Sequence, residues 1–288
     1  MIICVVGPTG VGKTKMSISL AEKYNAEIIS CDSMQIYKKM DIGTAKVTED
    51  EKEGIVHHLI DIKDVTEDYS VYDYQKDARK ILDDLLKKNK NVVIVGGTGL
   101  YLKALLYDYE FKENNNRNDY SNYSNDELYD MVLKINPDTK IHVNNRQRLE
   151  SYLNNHSCNE MHKTNKMIYD ATIIGLTRPR EALYDSINKR VDMMVHNGLV
   201  KEARYFYDLN INSKAIKTAI CYKELYEYFD ENISLVDAID LIKKRSRNYA
   251  KRQYTWFNNQ MNVKWFDIDI NNFDNTINKV IDYIEKRN

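Results

Sequence analysis

No apolar run in the sequence approaches the ~20 residues that a membrane-spanning helix needs, so a helical integral membrane protein is excluded. No charged leader or cleavage signal accompanies the first apolar run, and the expectation is a soluble, unexported protein of the cytoplasm. Net charge is almost missing: 42 Lys and Arg stand against 43 Asp and Glu, which leaves −1. No whole-molecule field therefore draws a nucleic acid, and such a partner must be met by a local basic patch. Cysteine is sparse. Cys4, Cys31, Cys158 and Cys221 form no C-x-x-C pair, and the first two lie in strand-like runs where a thiol packs as a small hydrophobe, which points to a reducing compartment. Standard zinc spacing is absent around His156, Cys158 and His162, and His57 and His58, in a strand-like run, read as structural. Internal repeats are also lacking, and the only low-complexity segment is the Asn-rich stretch that begins KENNN at Lys112.

What is present suits one large or two modest domains: 288 residues, 43% of them hydrophobic. The first half alternates short apolar runs with amphipathic ones, the pattern of a parallel sheet wrapped by helices. Strands are expected at IICVV (2–6), AEIIS (26–30), HHLIDI (57–62), NVVIV (91–95), DATIIGL (170–176) and NVKWFDI (262–268). Ser70 is placed to cap a helix running to about 90, with Tyr74, Ala78, Ile81 and Leu85 on one face. Thr177 and Pro179 open another, carrying Leu183, Ile187, Val191 and Met194 up to Gly198. Beyond 199 the chain reads as mostly helical. These patterns give an α/β core over 1–110 and 166–288, with a small, mostly helical insertion at 111–165.

Chemistry concentrates at the strand ends. GPTGVGKT (7–14) matches G-x-x-x-x-G-K-[ST] through Gly7, Gly12, Lys13 and Thr14, between a strand and a helix. Glycines there let backbone N–H groups turn toward an anion, Lys13 supplies a cation, and the Thr14 hydroxyl suits Mg²⁺. The motif alone leaves open whether a γ-phosphate moves or a pyrophosphate leaves. Asp32 and Ser33 follow the second strand, where an open α/β sheet gathers its ligands; pattern alone leaves Asp32 a base or a turn cap. GGTGLY (96–101) reads as a second substrate wall or as close strand–helix packing. The run KKRSRNYAKRQYTW (243–256) places Lys244, Arg247 or Asn248, and Lys251 on one helical stripe, and Arg245, Tyr249, Arg252 and Trp256 on another. No acid balances this run, and basic residues interleaved with aromatics suit a phosphate backbone and stacked bases.

Together GPTGVGKT, DSMQIYKKMDIGTAK, HHLIDI, VGGTGLYLKALL, IGLTRPREALYDSINKRVDMMVHNGLVKEA and YAKRQYTWF resemble the tRNA dimethylallyltransferase family, in the family's order and over most of the chain outside 111–165. The resemblance implies a P-loop NTPase-like core and transfer of a dimethylallyl group from dimethylallyl diphosphate to N6 of adenosine 37 in tRNA. Under it the P-loop holds a leaving pyrophosphate, and Asp32 is the base that takes the N6 proton, a role for which a carboxylate is already ionised at neutral pH. Thr9 falls near the reacting centre. Gly7, Thr9, Gly10, Val11, Gly12, Lys13, Thr14 and Lys223 form the implied diphosphate site, with Mg²⁺ on Thr14. The implied tRNA contacts are Asp32, Ser33, Met34 and Gln35 for the target base, Gly97 and Thr98 in the second turn, Arg148 in the insertion for the anticodon stem, and Arg247, Lys251 and Arg252. The chain is expected to act as a monomer. It departs from the family pattern at Cys221, usually Gly; at Thr218, often Arg or Gln; at Ser186, commonly Arg; and at the position after His142, which lacks the customary Pro. A P-loop small-molecule kinase and a tRNA-binding paralogue with weak or no activity are the alternatives.

Overall fold

The computed structural model describes residues 1–109, 118–156 and 166–287, excluding the side chains of 155 and 156. Part of the Asn-rich stretch and the His156, Cys158, His162 cluster lie outside the described residues. The elements run β1 (Ile2–Val6), α1 (Lys13–Tyr24), β2 (Ala26–Ser30), β3 (His57–His58), α2 (Val71–Lys87), β4 (Asn91–Val95) and α3 (Gly99–Leu106). Next come α4 (Asn125–Ile135), α5 (Arg146–His156), β5 (Ala171–Thr177), α6 (Arg180–His196), α7 (Leu199–Asp208), α8 (Lys214–Thr218) and α9 (Tyr222–Phe229). The chain closes with α10 (Leu235–Gln260), β6 (Lys264–Asp267) and α11 (Phe273–Arg287).

All six strands pair in parallel in the order β3-β2-β4-β1-β5-β6. The period-2 geometry of a strand sorts its side chains to opposite faces. Ile2, Cys4 and Val6 join one apolar core with Val92, Ile94, Ala171 and Ile173. Ile3 and Val5 join the other with Val93, Ile174 and Leu176. With both faces covered, β1 reads as the continuous apolar run IICVV, buried throughout.

Local signals account for the helix starts. Ser70 accepts from the Asp73 N–H while the Asp73 carboxylate accepts from the Ser70 N–H at 2.8 Å, a reciprocal cap that opens α2. The buried face of α2 is Tyr74, Gln75, Ala78, Leu82 and Leu85, and the expected Ile81 packs half-buried against the same core. At α10 the Ser234 hydroxyl accepts from the Asp237 N–H, without the reciprocal backbone bond. The expected strand over 57–62 stops at His58. Leu59 and Asp61 have φ of +61° and +55°, which breaks the extended run, and the Ile62 and Lys63 N–H groups turn to the Ile36 carbonyl.

Residues 1–107 and 167–288 form one compact unit and 108–166 a second. Among its described residues the second unit packs α4 on α5 around Leu128, Val132, Leu149 and Leu153. Arg146 ties it together, donating to the Tyr120 and Tyr123 carbonyls at 2.6 and 2.7 Å and pairing with Glu150. Among the described residues no helix is long and apolar enough to cross a membrane.

Candidate active site at the strand ends

A cavity of about 690 Å³ opens beyond the carboxyl ends of β1, β2 and β4, and residues of α1, α6, α9 and α10 also wall it. The P-loop forms one wall. Gly7, Gly10 and Gly12 take φ of +141°, +79° and +92°, a backbone path that L side chains rarely follow, and Gly12 delivers the chain into the first turn of α1. Thr9, Gly10, Val11, Gly12, Lys13 and Thr14 all line the cavity. Gly7 has another role: it is buried, and a Cβ there would lie 2.6 Å from the Leu176 carbonyl of β5. It shapes the loop from behind, and among the expected diphosphate contacts it is the one the structure sets apart.

Lys13 is folded back on its own loop, its Nζ donating to the Gly7 and Pro8 carbonyls at 3.0 and 2.9 Å. Burial and the nearby Arg190 cation lower its pKa to about 7, and the Asp32 charge partly offsets them. Arg190, on α6, is itself pushed below the ordinary guanidinium range by burial, again opposed by Asp32. Two cations and one carboxylate thus share electrostatic reach. Lys223, in the first turn of α9, adds a third cation to the wall.

Asp32 follows β2 directly, and one of its oxygens accepts from the Met34 N–H at 2.9 Å. The turn that carries it is held by the second glycine-rich turn. The Thr98 N–H donates to the Cys31 carbonyl, and the Ser33 N–H donates to the Thr98 hydroxyl at 3.1 Å. Gly96 lies against that same backbone, where a Cβ would come within 2.1 Å of the Cys31 carbonyl oxygen. Gly97 is buried beneath Gln253, and Gly99, half-buried, lies against Trp256, each with room for no side chain. Gly97 and Thr98 therefore pack and hold the turn; Gly97 is buried, Thr98 is half-exposed, and neither lines the cavity. Of the remaining base contacts, Ser33, Met34 and Gln35 line the cavity, and Gln35 donates its amide to the Thr44 and Ala45 carbonyls.

The basic helix divides its residues between two directions. Arg245, Tyr249 and Arg252 line the cavity, with the Arg252 guanidinium 5.7 Å from the Tyr249 ring centre. Burial and the Asp32 charge push the Tyr249 phenol up to about 12. Lys251 is exposed, and Arg247 donates to Asn188 of α6 at 2.6 Å. Arg148 is an exposed residue of the second unit.

Five residues in or around this site escape the expected set. Arg190 falls in register with the apolar stripe of Ile187 and Val191, and a cation on such a stripe is the signal that could have found it. Gln253, 5% exposed, falls between Ala250 and Phe257 on the buried stripe of α10. Glu202 accepts from the backbone N–H groups of Asp41, Ile42 and Gly43 and from the Tyr222 hydroxyl, holding a segment whose Gly43, Thr44 and Ala45 wall the cavity. Cys221 lines the cavity with φ +92° and ψ −50°. Ser186 donates to the Gly10 carbonyl at 2.9 Å.

The comparisons agree with one another. A family model described as IPP transferase matches residues 35–260. The chain belongs to the tRNA dimethylallyltransferase family. It is 44% identical to a tRNA dimethylallyltransferase of Anoxybacillus flavithermus, over 99% of this chain and 96% of the relative. With that of Bacillus subtilis it shares 45%, over 93% and 90%. The crystal structure of the full-length tRNA isopentenylpyrophosphate transferase of Bacillus halodurans superposes with a TM-score of 0.78 at 42% identity, covering 99% of this chain and 95% of that one. A eukaryotic dimethylallyltransferase acting on tRNA gives 0.84 at 27% identity, covering 99% and 79%. The family makes this chain a prenyltransferase, and its parallel sheet with flanking helices is the family's P-loop-like fold.

Proposed function

We propose that the protein transfers a dimethylallyl group from dimethylallyl diphosphate to N6 of adenosine 37 in tRNA, releasing diphosphate. The observation that carries this reading is the shared cavity, in which a phosphate-binding loop and an ionisable carboxylate face one space. The N6 lone pair is delocalised into the purine, so attack on the allylic carbon needs the N–H proton removed as the C–N bond forms. Asp32 takes that proton. The C–O bond to diphosphate breaks on the other side, and negative charge grows on the departing oxygens. The N–H groups of 10–14, Lys13, Lys223 and Arg190 receive it, and the Thr9 hydroxyl orients the leaving oxygen.

The donor set fits Mg²⁺. Among the described residues no three His, Cys, Asp or Glu side chains gather, while the Thr14 hydroxyl is exposed on the cavity wall. One protein oxygen plus phosphate oxygens and water is how Mg²⁺ is commonly held. Bound to Thr14 and the diphosphate, it would supply a Lewis acid to the leaving group.

The target base must leave its stack to reach Asp32. Tyr249 and Arg252 on one wall, and Ser33, Met34 and Gln35 on another, support its entry as stacking and polar surfaces. Lys251, Arg247 and the insertion's Arg148 serve the phosphate backbone, and the protein acts as a cytoplasmic monomer. The test is incubation with Mg²⁺, unmodified tRNA bearing adenosines beside the anticodon, and either dimethylallyl diphosphate or ATP, followed by mass analysis of the digested nucleosides. Dimethylallyl adenosine formed only with the first donor is expected. Bound but unmodified tRNA, or phosphate transfer from ATP, overturns the reading.

A further inference from the structure

Gln253 is a buried side chain on the helix whose neighbouring residues, Tyr249 and Arg252, face the cavity. Its Oε1 accepts from the Thr9 N–H at 2.9 Å, and its Nε2 donates to the Gly97 carbonyl at 3.0 Å. These partners fix the orientation of the amide, because a backbone N–H only donates and a carbonyl only accepts. The contact is tight as well as polar: a Cβ on Gly97 would lie 2.0 Å from the Gln253 Nε2. One side chain therefore joins α10 to the tip of the P-loop and to the second glycine-rich turn. That turn in turn holds the segment carrying Asp32, through Thr98.

We infer that Gln253 is a positioning residue, setting Thr9 of the P-loop against the turn that presents Asp32 and so aligning the two halves of the reaction. This rests on the proposed transfer. No other side chain of similar size does the same at neutral pH. Methionine matches the shape and offers neither hydrogen bond. Glutamate keeps an acceptor for Thr9 but, when ionised, turns a second acceptor on the Gly97 carbonyl. Protonated glutamic acid restores the pattern, with its O–H donating to Gly97 and its other oxygen accepting from Thr9. The titratable and charged neighbours on the cavity walls are Tyr249 and Arg252 from the same helix, Asp32 after β2, Lys13 of α1 and Arg190 of α6. They titrate in the wild type too, and the ratio of variant to wild type removes their contribution.

The experiment measures transfer and inorganic pyrophosphate affinity for wild type, Gln253→Met and Gln253→Glu from pH 5.5 to 8, with melting temperature as the check on folding. Gln253→Met is expected to lower turnover by about ten- to a hundredfold at every pH, the loss that follows when a buried donor and acceptor are left unpaired. Gln253→Glu is expected to show a similar loss at pH 8 and to recover at least about tenfold relative to wild type by pH 5.5, as the acid regains its proton. A variant-to-wild-type ratio that does not change with pH, or full turnover in the Met variant, overturns the inference. Should the Glu variant fail to fold, the Met variant decides. Should the wild type make no dimethylallyl adenosine, the proposed function fails by itself. Pyrophosphate affinity then judges Gln253, expected to fall in the Met variant and to equal the wild type if the inference is wrong.

Discussion

Two glycine-rich turns follow adjacent strands of the same sheet, GPTGVGKT after β1 and GGTGLY after β4, and their glycines serve opposite needs. In the first, Gly7, Gly10 and Gly12 all have φ between +79° and +141°, and five consecutive residues from Gly10 open onto the cavity. In the second, no glycine has positive φ among 96–99; there Cys31, Gln253 and Trp256 stand where a Cβ would be. The first turn needs glycine for the path of its backbone, Gly7 and Gly12 also being closed to a Cβ by Leu176 and Phe273, and from Gly10 onward it presents that backbone to the cavity. The second needs glycine for proximity and presents its backbone to protein. Composition alone cannot separate these demands, since both read as a glycine cluster between a strand and a helix.

Asp32 tests the division most severely, because the second turn holds it and the first turn's cavity receives it. Asp32→Ala is expected to slow transfer by about two to four powers of ten, the range of a lost general base. Pyrophosphate affinity should remain within about threefold of wild type, since the P-loop and its cations stay in place and the loss of a nearby negative charge offsets the weaker charging of Lys13. Near-normal turnover in this variant would remove Asp32 as the base.

The glycines themselves come next. Gly97→Ala forces a methyl against the buried Gln253 amide, and overpacking of this kind costs about 1–3 kcal/mol of stability, read by urea denaturation. Gly10→Ala is tight only against the flexible Ile187 side chain, at 3.1 Å, with the Ser186 hydroxyl and the Ile187 nitrogen at ordinary contact distance, and its cost comes from φ +79° instead, about 1–2 kcal/mol. Pyrophosphate affinity discriminates the two: it should drop for Gly10→Ala, whose backbone faces the cavity. Equal losses of affinity in both variants would erase the distinction between the turns.

Much of this architecture is legible without coordinates. Short, predominantly apolar runs mark β1, β2 and β4 to the residue, because strands covered on both faces tolerate few polar residues. The P-loop and Asp32 are legible because they are local: a motif eight residues long, and a carboxylate directly behind a strand. What stays hidden depends on contacts between distant segments. Gln253 meets Thr9 across 244 residues of chain, and Glu202 holds the Asp41–Gly43 amides across about 160; no periodicity carries either. The premature end of β3 is a positive-φ event at Leu59 and Asp61, two residue types that give no glycine-like warning. The basic run of α10 shows the same limit, since stripes can be drawn on a helix while the neighbour that each stripe meets cannot.

Lys13 offers a gentler perturbation of the first turn. Its pKa is lowered to about 7, so above that pH it is largely neutral. A bound diphosphate favours the charged form, and binding at pH 8–9 should take up about one proton, declining toward none by pH 6. Calorimetry in two buffers of different ionisation enthalpy measures the uptake, and Lys13→Arg, charged throughout, should abolish it. The same shift carries a sign for folding. The unfolded chain binds the extra proton between about 7 and lysine's ordinary 10.5, so this group's contribution to the stability of the ligand-free protein rises with pH across that window.

The smallest expected effect lies at a position that needs glycine and lacks it. Cys221 has φ +92° and ψ −50°, close to the rare γ-turn region that strains any residue with a Cβ. Its conformation is imposed from outside: its N–H donates to Glu224 at 2.8 Å, Glu224 is wholly buried and paired with Arg245, and the thiol meets the Gly43 carbonyl. The demand is the one met by Gly10 and Gly12, a backbone path, and not the one met by Gly97. Glycine here would relieve about 1–3 kcal/mol of strain. It would also give up the burial of a small side chain, about 1 kcal/mol. Cys221→Gly should therefore raise stability by roughly 1 kcal/mol, or about 2–4 °C in melting temperature for a chain of this size. A lower melting temperature would show that the thiol's packing outweighs the strain, and that position 221 belongs with the proximity-driven glycines of the second turn.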